Sequence, residues 1–142
     1  MFEVSSVFYL HVALWAVGLH GVWEYAQVIP LYRCWGRWTR WQRIWVLPAA
    51  TLGDAVATVA FAAGTAALLG PESVQPLTMA GAATLLGVGL AAGLVFETVA
   101  RALDLWHYED SMPTLRIGRY HVGVAPILQM TILPVLSVWV AG

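Results

Sequence analysis

Apolar residues dominate four stretches of the chain, 4–29, 44–69, 76–105 and 121–140. Each reaches the roughly 20 helical residues that a hydrocarbon core of about 30 Å requires. In lipid an open strand would leave backbone N–H and C=O groups unpaired, so each stretch is expected to be helical. The short polar connections force neighbouring helices to run antiparallel. The predicted architecture is an all-α, four-helix up-down membrane bundle forming one transmembrane domain over residues 1–142, with no internal repeat.

Composition agrees with that pattern. Sixty per cent of the residues are apolar and only 11% are charged, whereas an ordinary soluble domain is about 25% charged. A formal net charge of −1 offers phosphate backbones no general attraction, so nucleic acid is excluded as a partner. The N-terminal stretch lacks the positive region and small-residue cleavage site of a secretory signal, and is expected to be retained. Cys34 is the single cysteine, so neither an intramolecular disulfide nor a cysteine zinc cage can form.

The chain has no lysine, and its positive charges are Arg33, Arg37, Arg40 and Arg43 between spans one and two, Arg101 at the end of span three, and Arg116 and Arg119 before span four. In a four-span bundle all of these share one face. The termini and the 70–75 loop carry only Glu3 and Glu72. The positive-inside rule therefore predicts a cytoplasmic arginine face with N-out, C-out topology, in a bacterial inner membrane. Trp35, Trp38, Trp41 and Trp45 fall within about 120° of a helical wheel, opposite Arg33, Arg37 and Arg40. That pattern suggests a short amphipathic helix in the headgroup layer, with membrane lipids as its partner; an aromatic belt with snorkelling arginines gives the same pattern.

Ionisable side chains within a span cost about 2.5 to 3.5 kcal/mol each on insertion scales. Span one carries His20, Glu24 and Gln27 on one helix face; span two carries Asp54, flanked by Thr51 and Thr58. On span three Glu97 follows Gly89 and Gly93 at four-residue steps, a small-residue seam that turns it inward. Span four contributes Gln129 between Pro126 and Pro134, where missing backbone donors leave carbonyls open. At 1.5 Å per residue, Glu24 lies about 8 Å, Asp54 about 15 Å, and Glu97 and Gln129 each about 12 Å from the arginine-rich end of their spans. All four helices thus place a polar group in one layer. Interhelical hydrogen bonding is the plainer explanation, and Arg101 at i+4 is positioned to neutralise Glu97. Three carboxyls and an imidazole at one level point instead to a polar chamber with chemistry in it.

His11 and His20 stand about 180° apart around a helix, so they share no ligand. The set His20, Glu24, Asp54 and Glu97 is the only candidate for a mixed nitrogen and oxygen metal site; no metal and no cofactor is assigned. Residues 105–113 form an aromatic, acidic segment read either as a lid over the chamber's mouth or as an interfacial loop, with Glu109 and Asp110 pairing to Arg116 and Arg119.

The strings Trp23-Glu24-Tyr25-Ala26-Gln27, Pro30-Leu31-Tyr32, Gly53-Asp54, Trp106-His107-Tyr108, Met112-Pro113 and Val122-Gly123-Val124-Ala125-Pro126-Ile127-Leu128-Gln129 touch every span. Through them the chain resembles a group of small four-span bacterial membrane proteins, a likeness that implies the fold and no mechanism. A weaker likeness, carried by His20-Gly21-Val22-Trp23-Glu24, is to the emopamil-binding protein family of membrane sterol isomerases. It implies a His-x-x-x-Glu pair and further carboxyls, such as Glu97, in a lipid-accessible pocket.

Two functions follow. One is an intramembrane acid–base enzyme of isomerase, hydratase or cyclase type on a lipidic or isoprenoid substrate. Glu24 would be its acid with His20 as partner, Asp54 or Glu97 its base, and Trp23, Trp106 or Tyr108 would face a carbocation; Gln27 and Gln129 would line the substrate site. The alternative is a non-catalytic accessory or assembly subunit, docked in a larger electron-transfer or light-harvesting complex or forming a homo-oligomer.

Overall fold

A computed structural model describes residues 4–142; Glu3 lies outside the described residues. The elements are α1 (Ser6–Leu31), α2 (Cys34–Arg37), α3 (Arg40–Leu69), a 3₁₀ turn (Pro71–Ser73), α4 (Met79–Ala102), β1 (Thr114–Ile117), β2 (Tyr120–Gly123) and α5 (Val124–Ala141). α1, α3, α4 and α5 are long and apolar enough to cross a bilayer, and the chain is a multi-pass membrane protein.

Local side-chain chemistry sets the helix ends. The Ser5 and Thr78 hydroxyls accept from the amides of Phe8 and Gly81 at 3.1 Å, satisfying orphan donors at the starts of α1 and α4. α3 begins with a capping box: the Gln42 amide donates to Thr39 Oγ1 at 3.3 Å and the Thr39 amide to Gln42 Oε1 at 2.8 Å. It ends at Gly70, whose φ of 97° is open to glycine and strained for other residues.

That capping box corrects one expectation. The continuous amphipathic helix between spans one and two does not form: α2 is a single turn, Trp38 is extended, and Trp41 and Trp45 already belong to α3. Trp35 and Trp38 meet edge-to-face at 6.0 Å, and Arg43 lies 5.4 Å from the Trp35 ring centroid. Beside the helices of the expected all-α bundle, β1 and β2 form a short antiparallel hairpin. Gly118, with φ of 58°, takes the first position of its two-residue turn, where a type II′ turn requires positive φ. Residues 121–123, expected in span four, are consequently strand.

Gly142 lies against Phe8 and Val74, so the start of α1, the end of α5 and the α3–α4 connection share one end. At the other end the Arg33 amide donates to the His107 carbonyl at 3.1 Å, and the Glu109 amide to the Leu31 carbonyl at 2.9 Å. The long helices therefore alternate in direction. Near the termini the interior is filled by Phe8, Val12, Ala62, Ala66, Val74, Leu85 and Val138.

α4 and α5 approach along the glycine seam. A methyl added at Gly89 would collide with the Met130 carbonyl, and one at Gly93 would sit 3.1 Å from Ile127 Cα. Pro134 brings no amide to the Met130 carbonyl, which leaves that oxygen open to the Gly89 Cα–H. With the seam fixed, Glu97 one turn on is buried.

Candidate functional site

Three helices converge on the Gln129 amide. Its Nε2 lies 2.9 Å from Glu24 Oε1, 2.9 Å from Asp54 Oδ2 and 3.1 Å from His20 Nδ1. Its Oε1 accepts from Gln27 Nε2 at 2.9 Å, and Gln27 Oε1 accepts from the Trp23 indole at 3.1 Å. His20 Nε2 stands 3.1 Å from Thr58 Oγ1, and His20 Nδ1 is 3.5 Å from Asp54 Oδ2.

An amide nitrogen has two hydrogens and cannot serve three acceptors fully. His20 Nδ1 therefore competes with the two carboxyls for Gln129, and Asp54 Oδ2 approaches the same ring nitrogen at 3.5 Å. Although carboxylate, imidazole and hydroxyl then follow one another as in a nucleophilic triad, Thr58 and His20 are fully buried. No substrate reaches that hydroxyl, and His20 stands behind Asp54 and Gln129.

Glu97 stands in a second group. The Tyr108 hydroxyl donates to Glu97 Oε2, and the Gly123 amide donates to the Tyr108 oxygen at 3.0 Å. Burial first, then the bond to Glu97, pushes the Tyr108 phenol above its ordinary range, so it keeps its proton. Arg101, expected to neutralise Glu97, acts on it without a direct ion pair: it donates to the Trp106 carbonyl and lies 5.2 Å from the Tyr108 ring centroid.

Both groups open on one chamber of ≈690 Å³, lined by Glu24, Asp54, Glu97 and Gln129. α3 (Gln42, Val46, Leu47, Ala50, Gly53, Ala57) and α4 (Gly93, Phe96) form its sides; Val28, Tyr32, Cys34, Trp38, Leu105, Trp106, Pro126 and Met130 complete it. Apart from the carboxyls and amides the lining is largely apolar, and two of its residues, Val46 and Phe96, are exposed at the surface.

Of the expected binding residues, Trp106 and Gln129 line the chamber, whereas Gln27 and Tyr108 are absent from its lining and bond to Gln129 and Glu97, and Trp23 bonds to Gln27. Tyr32, Cys34 and Trp38 line it without having been expected. They lie in the stretch read as interfacial, and Tyr32 is drawn in by its bridge to Tyr108. That bridge, with the Ser111 hydroxyl donating to the Pro30 carbonyl at 2.5 Å, fastens the 105–113 segment over the mouth. The acidic residues there pair with Arg33, Glu109 at 3.4 Å and Asp110 at 2.6 Å, and not with Arg116 and Arg119. Arg116 and Arg119 bond within the hairpin to the Gly118 carbonyl and Tyr120 hydroxyl.

His11 is exposed on α1, well away from His20, and His107 and His121 lie on the mouth. Among the described residues no three His, Cys, Asp or Glu side chains converge on one metal position. Searches of family models, curated proteins and solved structures return no match to this chain.

Proposed function

We propose that this chain is an intramembrane acid–base enzyme that shifts, hydrates or cyclises a double bond in a lipidic, isoprenoid-type substrate. One observation carries the reading: Glu24, Asp54 and Glu97 line a single, largely apolar chamber whose wall includes the exposed apolar side chains Val46 and Phe96. An acyl or prenyl chain enters from the bilayer without crossing water, and meets acids on one wall and a carboxyl on another. The likeness of His20 and Glu24 to the sterol isomerases' pair supports the same class.

The hydrogen bonds divide the roles. Tyr108 spends its one proton on Glu97, leaving the other Glu97 oxygen to take a proton from substrate; Glu97 is the base. Glu24, held by Gln129 beside Asp54, is the acid that protonates the alkene. Two neighbouring carboxyls that share one donor hold a proton between them more readily than two charges. Trp106 and Tyr32 present π-faces to the positive charge that develops. In an isomerisation the proton lost by Glu24 is matched by the one gained by Glu97, and exchange between the two restores the starting state.

We place the arginine-rich end in the cytoplasm and both termini outside, in a bacterial inner membrane, because Arg33, Arg37, Arg40, Arg43, Arg101, Arg116 and Arg119 all sit at that end. The test is mass spectrometry of lipids retained by gently purified protein, followed by turnover of the retained species. Glu24→Gln and Glu97→Gln should each lower turnover by about 100-fold or more, the scale of lost general acid–base catalysis. Wild-type rates in both variants would end the proposal. A stoichiometric protein partner with no retained lipid would favour an accessory subunit instead.

A further inference from the structure

The mouth of the bundle holds a second, smaller cavity of ≈350 Å³, bordered by Arg33, Arg101, His107, Tyr108, Thr114 and His121 together with Glu109, Asp110 and Met112. Its two acids are already matched, both to Arg33, and His107 is paired with Asp104 at 3.2 Å. What remains is Arg101. Among the described residues no carboxylate lies within ion-pairing distance of it. One guanidinium nitrogen donates to the Trp106 carbonyl, the group stacks on Tyr108, and its Nε is buried with no hydrogen-bond partner. A half-buried cation with no carboxylate partner is a costly arrangement for a chain to keep, and the guanidinium edge that borders the cavity is most simply matched by an anion.

Guanidinium presents several donors in a planar fork that matches phosphate oxygens. Thr114 adds a hydroxyl and His121 an imidazole from the hairpin. We infer that this cavity is a binding site for a phosphate group, held by Arg101 with Thr114 and His121. The chemistry is shared by a lipid headgroup carrying a terminal phosphate and by free phosphate. Because the cavity lies at the end of the spans where headgroups gather, the lipid source gains from the bilayer's own concentration.

The test uses the full chain in phosphatidylcholine nanodiscs, reading the thermal unfolding midpoint. Inorganic phosphate is titrated in one arm, and the bilayer is doped with phosphatidic acid in the other. A rise with both probes, or with phosphatidic acid alone, supports the site and identifies its source. Arg101→Gln should weaken the response roughly tenfold or more, the value of a charge-assisted bond, with Arg101→Lys in between. His121→Gln, altered on β2 rather than α4, weakens it independently should Arg101→Gln fold poorly. No response to either probe overturns the inference, as does an equal response to phosphatidylglycerol, a diester of lower charge, or an unchanged response in both variants. Glu24→Gln keeps the response, so this site and the proposed chemistry fail separately.

Discussion

Removing the Gln129 amide tests whether the interior is a connected network. Gln129→Leu keeps most of the side-chain volume while deleting one acceptor and two donors, all buried. Interhelical side-chain hydrogen bonds in bilayers are worth about 0.6 kcal/mol on average and about 1.7 at most, because the unfolded helices still find partners. The Gln27–Gln129 bond at 2.9 Å lies at the upper part of that range, since Gln27 is itself held by Trp23 and chained bonds reinforce one another. With the donations to Glu24 and Asp54, the expected loss for Gln129→Leu is about 2 kcal/mol. Gln27→Leu and the double variant complete a cycle with a coupling of about 1 kcal/mol. Reversible unfolding in mixed detergent micelles, followed by tryptophan fluorescence, measures all four species. A loss below about 0.5 kcal/mol for Gln129→Leu, or a coupling within the roughly 0.3 kcal/mol of simple additivity, would refute the network.

Three further outcomes are expected. Gly89→Ala should destabilise by about 1 to 3 kcal/mol, the scale of overpacking, because its methyl meets the Met130 carbonyl; Gly87→Ala, facing open space, is its near-neutral control in the same assay. Tyr108→Phe should cost about 1 kcal/mol, since Glu97 loses a donor and the Gly123 amide an acceptor. Burial pushes the Cys34 thiol up; only thiolate reacts, so at neutral pH maleimide should label it more slowly than an exposed cysteine, catching up as pH rises past the ordinary thiol range. Since Cys34 lines the chamber, a lipid that fills it should slow labelling further, and labelling indifferent to both pH and lipid would contradict this placement.

The spans were legible because a bilayer permits few alternatives, and a run of apolar residues at that length has one solution. Glu97's inward direction was legible from Gly89 and Gly93, whose spacing announces a close helix. What escaped notice had two causes. Some signals were present and unread: Thr39-x-x-Gln42 spells a capping box, which splits the tryptophan stripe into a turn and a helix start, and Gly118-Arg119 between two β-prone runs spells a hairpin. Others are not local at all. That Arg33 and not Arg116 neutralises Glu109 and Asp110 depends on residues 105–113 folding back on the end of α1, a contact between positions about 75 apart. Tyr32 enters the chamber wall through that same fold-back, whereas Trp23 and Tyr108, marked from sequence as substrate-facing, are held by Gln27 and Glu97.

The interior near the termini is packed with Phe8, Val12, Leu85 and Val138, an apolar plug between the carboxyls and that end of the bundle. Any proton exchanged by Glu24 or Glu97 comes from and returns to the compartment beyond the arginine-rich mouth. On the proposed function, turnover should then follow that compartment's acidity and not the pH on the far side of the membrane.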